Sequence, residues 1–468
     1  MRRLVVLHTN DIHGRIDAIA RIATLVERES ASTDDAVLYV DAGDVEDRTN
    51  RLSNLTKGVA VHRLLGVAGC RATAVGNGTV VYYGPAPLVE QSAAGGYPQL
   101  AANLQRDGRV VAGAEAAVLL DIEGIRVGLI GLTPADWRDI YASMGLDVPD
   151  ALPLVREHAA SLRRQGAEVV ILLSHLGIDR DRELAVELDG EIPLVIGSHS
   201  HTLLAQGERV GGVTIAQAGS FGEHLGRVEL EIDTKDDVQI AHLAVDAVPE
   251  STEPHPAIRA EIATIEGELE SWLAEPVGEL ADDLDFADDR ECAGVAFVAD
   301  VLRERMDAEV GVVVPATALV AGLPAGVLTR GTLYEACPSP GVPSAADLTG
   351  AELRELVDRG LEPDRAAEAP RSLRGARRGP MHLSGAEMRD GQLLVDGLPV
   401  RADRLYRVAG TDWELGTYGG YVRDEWALDV TWDGTTIIRE AIEEHLRRHR
   451  VVPRPEPRIH GRLSPQPG

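Results

Sequence analysis

Residues 4–14 read LVVLHTNDIHG. Leu4–Leu7 is an unbroken apolar run, the pattern of a strand buried on both faces, and it delivers Asp11 and His13 just past its end. Two residues apart in an extended segment, the carboxylate and the imidazole can point the same way. The same arrangement returns along the chain. Ala36–Val40 ends in DAGD with Asp44, and the strand expected at 72–75 leads to Asn77. VVILLS leads to His175, and LVIGS to His199 and His201. Helical spacing separates these runs: Ile16, Ile19, Ile22, Leu25 and Val26 share a face over 16–28, with further helices expected at 56–66 and 151–165. More strands are expected at 125–131, 192–196 and 213–217, and 225–246 alternates as a hairpin. Alternating strands and helices with polar residues beyond the carboxyl ends of strands point to an α/β fold.

Two carboxylates, one amide oxygen and four imidazoles thus collect at five strand ends. Singly, an Asp or Asn beside glycine is ordinarily a turn residue, and a histidine after a strand a hydrogen-bonded surface group. Together, Asp11, His13, Asp44, Asn77, His175, His199 and His201 form a ligand set suited to Mn²⁺, Zn²⁺, Fe²⁺ or Co²⁺. They exceed the needs of one ion and suffice for two if Asp44 bridges. Asp41, before Gly43, reads as a loop stabiliser.

Composition narrows the partners. The 468 residues are 44% hydrophobic and 26% charged, which excludes wholesale disorder. Lys plus Arg number 46 against 75 Asp plus Glu, a net charge of −29 that repels nucleic-acid polymers and anionic membranes. A small phosphorylated substrate would depend on cations at such a surface. Three cysteines without a CxxC pair make no disulfide framework, and the short apolar run at the start is no signal-peptide core. A cytoplasmic location is the expectation.

A composition shift at 247–256 (AVPESTEPHP) marks the end of a first domain, 1–246. A linker, 247–289, contains a helix at 257–275 with Ile258, Ile262, Ile265, Leu269 and Leu273. The second domain, 290–450, has an expected helix at 293–305, a strand at 310–314 and a short helix carrying Leu348, Leu353 and Leu356. The segment 371–378 (RSLRGARR) reads as an exposed loop and the proline-rich 451–468 as a mostly irregular tail.

The motifs TNDIHG, DAGD, SNLTKG, GN, SHLGIDRDRELA, GSHSHT and QAGSFGEHLGR resemble, in order and spacing over residues 4–230, the calcineurin-like metallophosphoesterases. More narrowly they are similar to the 5′-nucleotidase, UDP-sugar hydrolase and 2′,3′-cyclic phosphodiesterase branch. The resemblance implies a four-layer α/β/β/α sandwich. It implies one metal on Asp11, His13, Asp44 and His201 and a second on Asp44, Asn77, His175 and His199. LPAGVLTRGTLYEACP, LTGAELREL and DWELGTYGGY resemble a smaller α/β 5′-nucleotidase C-terminal domain over about 290–446.

Departures from the family pattern bear on chemistry. Where the family reads GNHEFDYG this chain reads GNGTVVYYG, so Gly78 stands at the catalytic histidine and Val81 at its aspartate. Tyr82 and Tyr83 lie close in sequence and are the candidate hydroxyls. Val320 stands at the nucleotide-contacting arginine, Pro338–Gly341 replaces the base-stacking PFGN, and GGDGY shortens to Gly419-Gly420-Tyr421. Trp413 and Tyr421 remain as aromatic substrate contacts, with a core or rim role as the alternative. The implied function is a dinuclear metal hydrolase of a phosphorylated small molecule, with Asp44 and Asn77 central to catalysis. A diester or pyrophosphate suits the missing dyad better than an alkyl monoester. The alternatives are a non-catalytic metal- and phosphate-binding protein, or a hydrolase of a non-phosphate ester.

Overall fold

The computed structural model describes residues 2–234, 237–339, 341–370, 376–416, 419–433 and 436–460. The chain divides into two units, Met1–Gly267 and Glu268–Gly468. The helix Pro256–Leu273 carries the backbone from the first into the second.

In the first unit, a seven-stranded sheet runs Asp237–Ala247, His224–Thr234, Arg2–Thr9, Ala36–Asp41, Cys70–Ala74, Gln99–Leu100, Ala114–Glu115. From Arg2–Thr9 onward the strands are parallel, and the hairpin closes the other side antiparallel. A six-stranded sheet runs Glu208–Val210, Val213–Ala216, Leu194–Gly197, Val169–Ser174, Ile125–Leu132, Ala117–Ile122, with its four central strands parallel.

Alternation along these strands decides the layers. Leu4, Val6, Leu38 and Val40 from one sheet pack with Leu129, Ile171, Leu173 and Ile196 from the other in a single core. The opposite faces are also covered. Ile130, Leu172, Val195 and Ile215 pack on Val155, Ala159 and Leu162 of the helix Ala151–Arg164. The helix Ile16–Ser32 buries Ile19, Ile22 and Val26. The result is the four-layer α/β/β/α sandwich. Burial on both faces explains why the strands read as continuous apolar runs rather than alternating ones.

The second unit is a smaller α/β domain. Its five-stranded sheet runs His382–Ser384, Val310–Val313, Leu405–Thr411, Pro343–Thr349, Thr431–Trp432. Leu348, expected on a helix, belongs to the strand Pro343–Thr349. Thr349 then caps the helix Gly350–Gly360 reciprocally with Glu352, which fixes the boundary one residue after Leu348. The basic segment is not exposed throughout. Residues 371–375 lie outside the described residues, but Arg378 is buried, donating to Gly419 O at 2.7 Å and pairing with Glu368. The tail contributes Val451–Val452 and Ile459–His460 as short strands, and 461–468 lie outside the described residues. Among the described residues no helix is long and apolar enough to cross a membrane.

Candidate metal centre

Three neighbouring parallel strands of the first sheet, Arg2–Thr9, Ala36–Asp41 and Cys70–Ala74, end at one rim and supply Asp11, His13, Asp44 and Asn77. Two neighbouring strands of the second sheet, Val169–Ser174 and Leu194–Gly197, supply His175, His199 and His201. The first two loops are zipped together: Asp11 N donates to Gly43 O at 2.9 Å and His13 N to Asp44 O at 3.0 Å. Asp11, His13, Asp44, His199 and His201 all have left-handed backbones, with φ of 49°, 49°, 52°, 68° and 54°. Such a conformation is uncommon outside glycine, and five cases among seven ligand-type residues mark a rim held by its surroundings.

Asp11 is fully buried and over-determined. Its Oδ2 accepts from Asn10 Nδ2 at 2.8 Å, Ser198 Oγ at 2.8 Å and His199 N at 3.0 Å. Its Oδ1 lies 3.4 Å from His201 Nε2 and 3.9 Å from both His13 Nε2 and His175 Nε2. The Nε2 atoms of His13 and His201 are 3.1 Å apart, and Phe221 packs on both rings. On the other side, His175 Nε2 lies 3.4 Å from Asp44 Oδ2, while its Nδ1 meets Ala42 O at 2.8 Å. Asp44 Oδ1 accepts from Gly78 N at 2.8 Å. Asp11, His13 and His201 form one converging set, and Asp11, Asp44 and His175 a second.

Two buried atoms test whether this set suits cations. Asn77 Oδ1 and His175 Nε2 are both buried with no hydrogen bond. An orphaned buried polar atom is costly; a cation would satisfy Asn77 Oδ1 directly, and His175 Nε2 in exchange for its proton. His199 differs from the others: its Nε2 meets Asp136 Oδ2 at 3.0 Å, and its ring lies 5.3 Å from that of His175. A carboxylate on one ring nitrogen is the usual way a ligating histidine is oriented, with Nδ1 left to a metal.

The electrostatics agree with the donor set. Burial would raise the Asp44 carboxyl, but His175 and His13 outweigh it and hold it far below the ordinary range. Burial likewise opposes the charge on His175, yet Asp44 and Asp11 push its pKa up to about 10. Burial also disfavours ionised Asp11, and His201 and His175 overcome it. Without a metal, protons bridge these anions. Asp41 is the loop stabiliser expected, accepting from Gly43 N at 2.8 Å and Thr9 Oγ1 at 2.6 Å, with burial raising its pKa to about 6.

The weaker sequence assignments fare differently. Tyr82 is half-buried with the Arg48 guanidinium 4.4 Å from its ring centroid. Tyr83 is buried, its hydroxyl 3.4 Å from Asn54 Oδ1. In the second unit, Tyr421 is 0% exposed within the core, so its ring offers no face to a substrate, and the core alternative describes it. Trp413 is partly buried against the same core. Pro340 lies outside the described residues. Val81 packs with Val75 and Val80. Gly78 sits in the helix Asn77–Tyr83.

Several neighbours escaped the sequence reading. Asn10, in TNDIHG itself, fixes Asp11 and is locked by Gly219 O at 2.6 Å and Ala218 N at 2.8 Å. Glu46, two residues past Asp44, is buried against His62 at 3.2 Å and accepts from Thr79 of the Asn77–Tyr83 helix. A buried Glu–His pair of this kind has no local spacing signal. Only its place in DAGDVED, beside Asp44, marks Glu46.

The calcineurin-like phosphoesterase pattern matches residues 4–203, and the 5′-nucleotidase C-terminal domain matches residues 276–423. The metallophosphoesterase YunD of Bacillus subtilis is 28% identical over 441 residues, covering 90% of this chain and 95% of its own length. The trifunctional nucleotide phosphoesterase YfkN of Bacillus subtilis is 28% identical over 405 residues, covering 76% of this chain but only 27% of its own. The structure of the NAD nucleotidase NadN of Haemophilus influenzae superposes with a TM-score of 0.61 at 14% identity, covering 98% of each chain, a likeness of fold. The chain thus carries a calcineurin-like phosphoesterase domain followed by a 5′-nucleotidase C-terminal domain.

Proposed function

We propose that this chain hydrolyses a phosphorylated small molecule with two divalent cations. Asp11, His13, Asp44 and His201 would hold one, and Asp44, Asn77, His175 and His199 the other. The observation that carries the reading is the convergence of Asp11, His13, Asp44, His175 and His201 at one rim, with Asn77 Oδ1 and His175 Nε2 buried and unsatisfied. When bound, such a pair of ions activates water and neutralises charge on the phosphoryl oxygens. The chain's own part is to fix the ligands: Asn10 and Ser198 hold Asp11, Ala42 O holds the His175 ring, and Asp136 holds His199.

Position 78 shapes the choice of substrate. Gly78 and Tyr82, four residues apart on one helix, share a face. Arg48, from the loop that follows Asp44, lies over the Tyr82 ring. A guanidinium supplies permanent positive charge but gives up no proton near neutral pH. A guanidinium reaching the rim would meet charge on a transferring phosphoryl group without protonating a basic leaving alcohol. This favours diesters, pyrophosphates and other activated esters over simple alkyl monoesters.

The test is a panel of phosphomonoesters, cyclic and linear diesters, dinucleotides and nucleotide sugars, run with Mn²⁺, Zn²⁺ and Co²⁺. Metal-dependent turnover of any class, abolished by His175→Ala, supports the reading. Tight binding of phosphorylated ligands by the metal-loaded chain without turnover would favour instead a binding protein that has lost catalysis with its Gly78 and Val81 replacements.

A further inference from the structure

In the second unit, far along the chain from the residues described above, the last turn of the helix Ile438–Arg448 carries His445, and His449 follows as its cap residue. Spaced four apart, the two imidazoles sit side by side on one helical face, ring centroids 4.3 Å apart. Facing them is Glu304, from the helix Ala293–Arg305. Its Oε2 lies 3.0 Å from His445 Nδ1 and 3.0 Å from His449 Nε2, so one carboxylate oxygen meets both rings. The other oxygen, Oε1, takes Arg448 at 2.7 Å and His449 Nε2 at 2.9 Å. His445 is largely buried, its ring against Phe297 at 5.6 Å.

One detail separates this cluster from an ordinary ion pair. His445 Nδ1 is buried and makes no hydrogen bond, although Glu304 Oε2 is 3.0 Å away, because the carboxylate is out of line with an N–H donor. An unbonded ring nitrogen beside a carboxylate oxygen is a ligand pair that a cation would satisfy.

We propose that Glu304, His445 and His449 form a second, separate metal site, taking a single divalent ion of the borderline class, Zn²⁺, Co²⁺ or Ni²⁺. Two imidazoles and one carboxylate oxygen are the donor set such ions select, and the exposure of His449 leaves solvent for the remaining position. Arg448 keeps Oε1, directing Oε2 to the ion. Since the ligands come from two helices, the ion staples the helix Ala293–Arg305 to the helix Ile438–Arg448.

The proposal is independent of the hydrolase reading, and its test keeps the two apart. Zn²⁺ is titrated by calorimetry into the intact chain, the His445→Ala/His449→Ala variant and the Asp44→Ala variant. Co²⁺ absorption reports ligand type in each. The Asp44→Ala chain is expected to retain one ion per chain with an imidazole-bound spectrum, and to melt at higher temperature when Zn²⁺ is added. The histidine variant is expected to lose that ion and no other. The single variant His449→Gln, at a half-exposed position, guards against misfolding and is expected to weaken the same event. Equal Zn²⁺ stoichiometry in the wild type and both histidine variants would overturn the proposal.

Discussion

The backbone nitrogen of Gly78 donates to Asp44 Oδ1 at 2.8 Å, tying the helix that lacks the family histidine to the carboxylate proposed to bridge two cations. A Cβ at Gly78 would stand 3.1 Å from Asp44 Oδ1 and 3.3 Å from Glu46 Oε1, so a larger side chain enters only if those oxygens yield slightly. The backbone itself is helical and accepts any L-residue.

Gly78→His with Val81→Asp is therefore expected to fold and to restore a proton donor. General acid assistance is commonly worth ~10²–10⁴ in rate. The wild type should cleave nitrophenyl phosphates far faster than alkyl phosphates, and the double variant should narrow that gap selectively on the alkyl side. Measuring kcat/KM across a leaving-group series, with metal content checked, decides it. A flat series in the wild type would mean that a proton donor is already present.

Arg48→Ala should lower kcat/KM by roughly 10²-fold if the guanidinium over Tyr82 meets developing charge, in line with the loss of one oxyanion-stabilising group. Tyr82→Phe keeps the ring that supports Arg48 and should cost little. A larger loss in Tyr82→Phe than in Arg48→Ala would show the hydroxyl to be the working group.

Protons and cations compete for the same anions at the rim. His175 holds its proton up to a pKa of about 10, and His201 is also raised by its contact with Asp11. Metal binding must displace these protons, so apparent affinity should rise with pH from 6 to 9. Calorimetry in buffers of different ionisation enthalpy should register proton release, and a pH-independent affinity would speak against imidazole ligation.

Asp181, fully buried with Ser174 as its hydrogen-bond partner, has its pKa raised by burial to about 7. As pH rises above 3.8, the unfolded chain ionises this group first, so stability falls until the folded pKa near 7 and then levels. In metal-free protein, Asp181→Asn should gain in melting temperature relative to wild type across that interval. A constant difference at all pH values would contradict the assignment.

The first unit was largely legible in the sequence, because strands buried on both faces read as unbroken apolar runs and their ligand-type residues follow within a few positions. Leu4–Leu7 before Asp11 and Val169–Leu173 before His175 are the clearest cases. What escaped depends on pairing across the chain. Asp136 reaches His199 over 63 positions and Glu46 reaches His62 over 16, distances at which periodicity carries no signal. Tyr421 stayed open between a substrate face and a core or rim role because sequence cannot separate a ring in the core from a ring at a pocket.

The central claim is two divalent ions at the rim of the first unit, and metal content tests it most directly. The chain carrying His445→Ala and His449→Ala, so that only this rim is counted, is reconstituted with excess Mn²⁺, desalted and analysed. About two ions per chain are expected, with Asp44→Ala losing most of both. No bound ion and no thermal shift with any divalent metal would contradict the account.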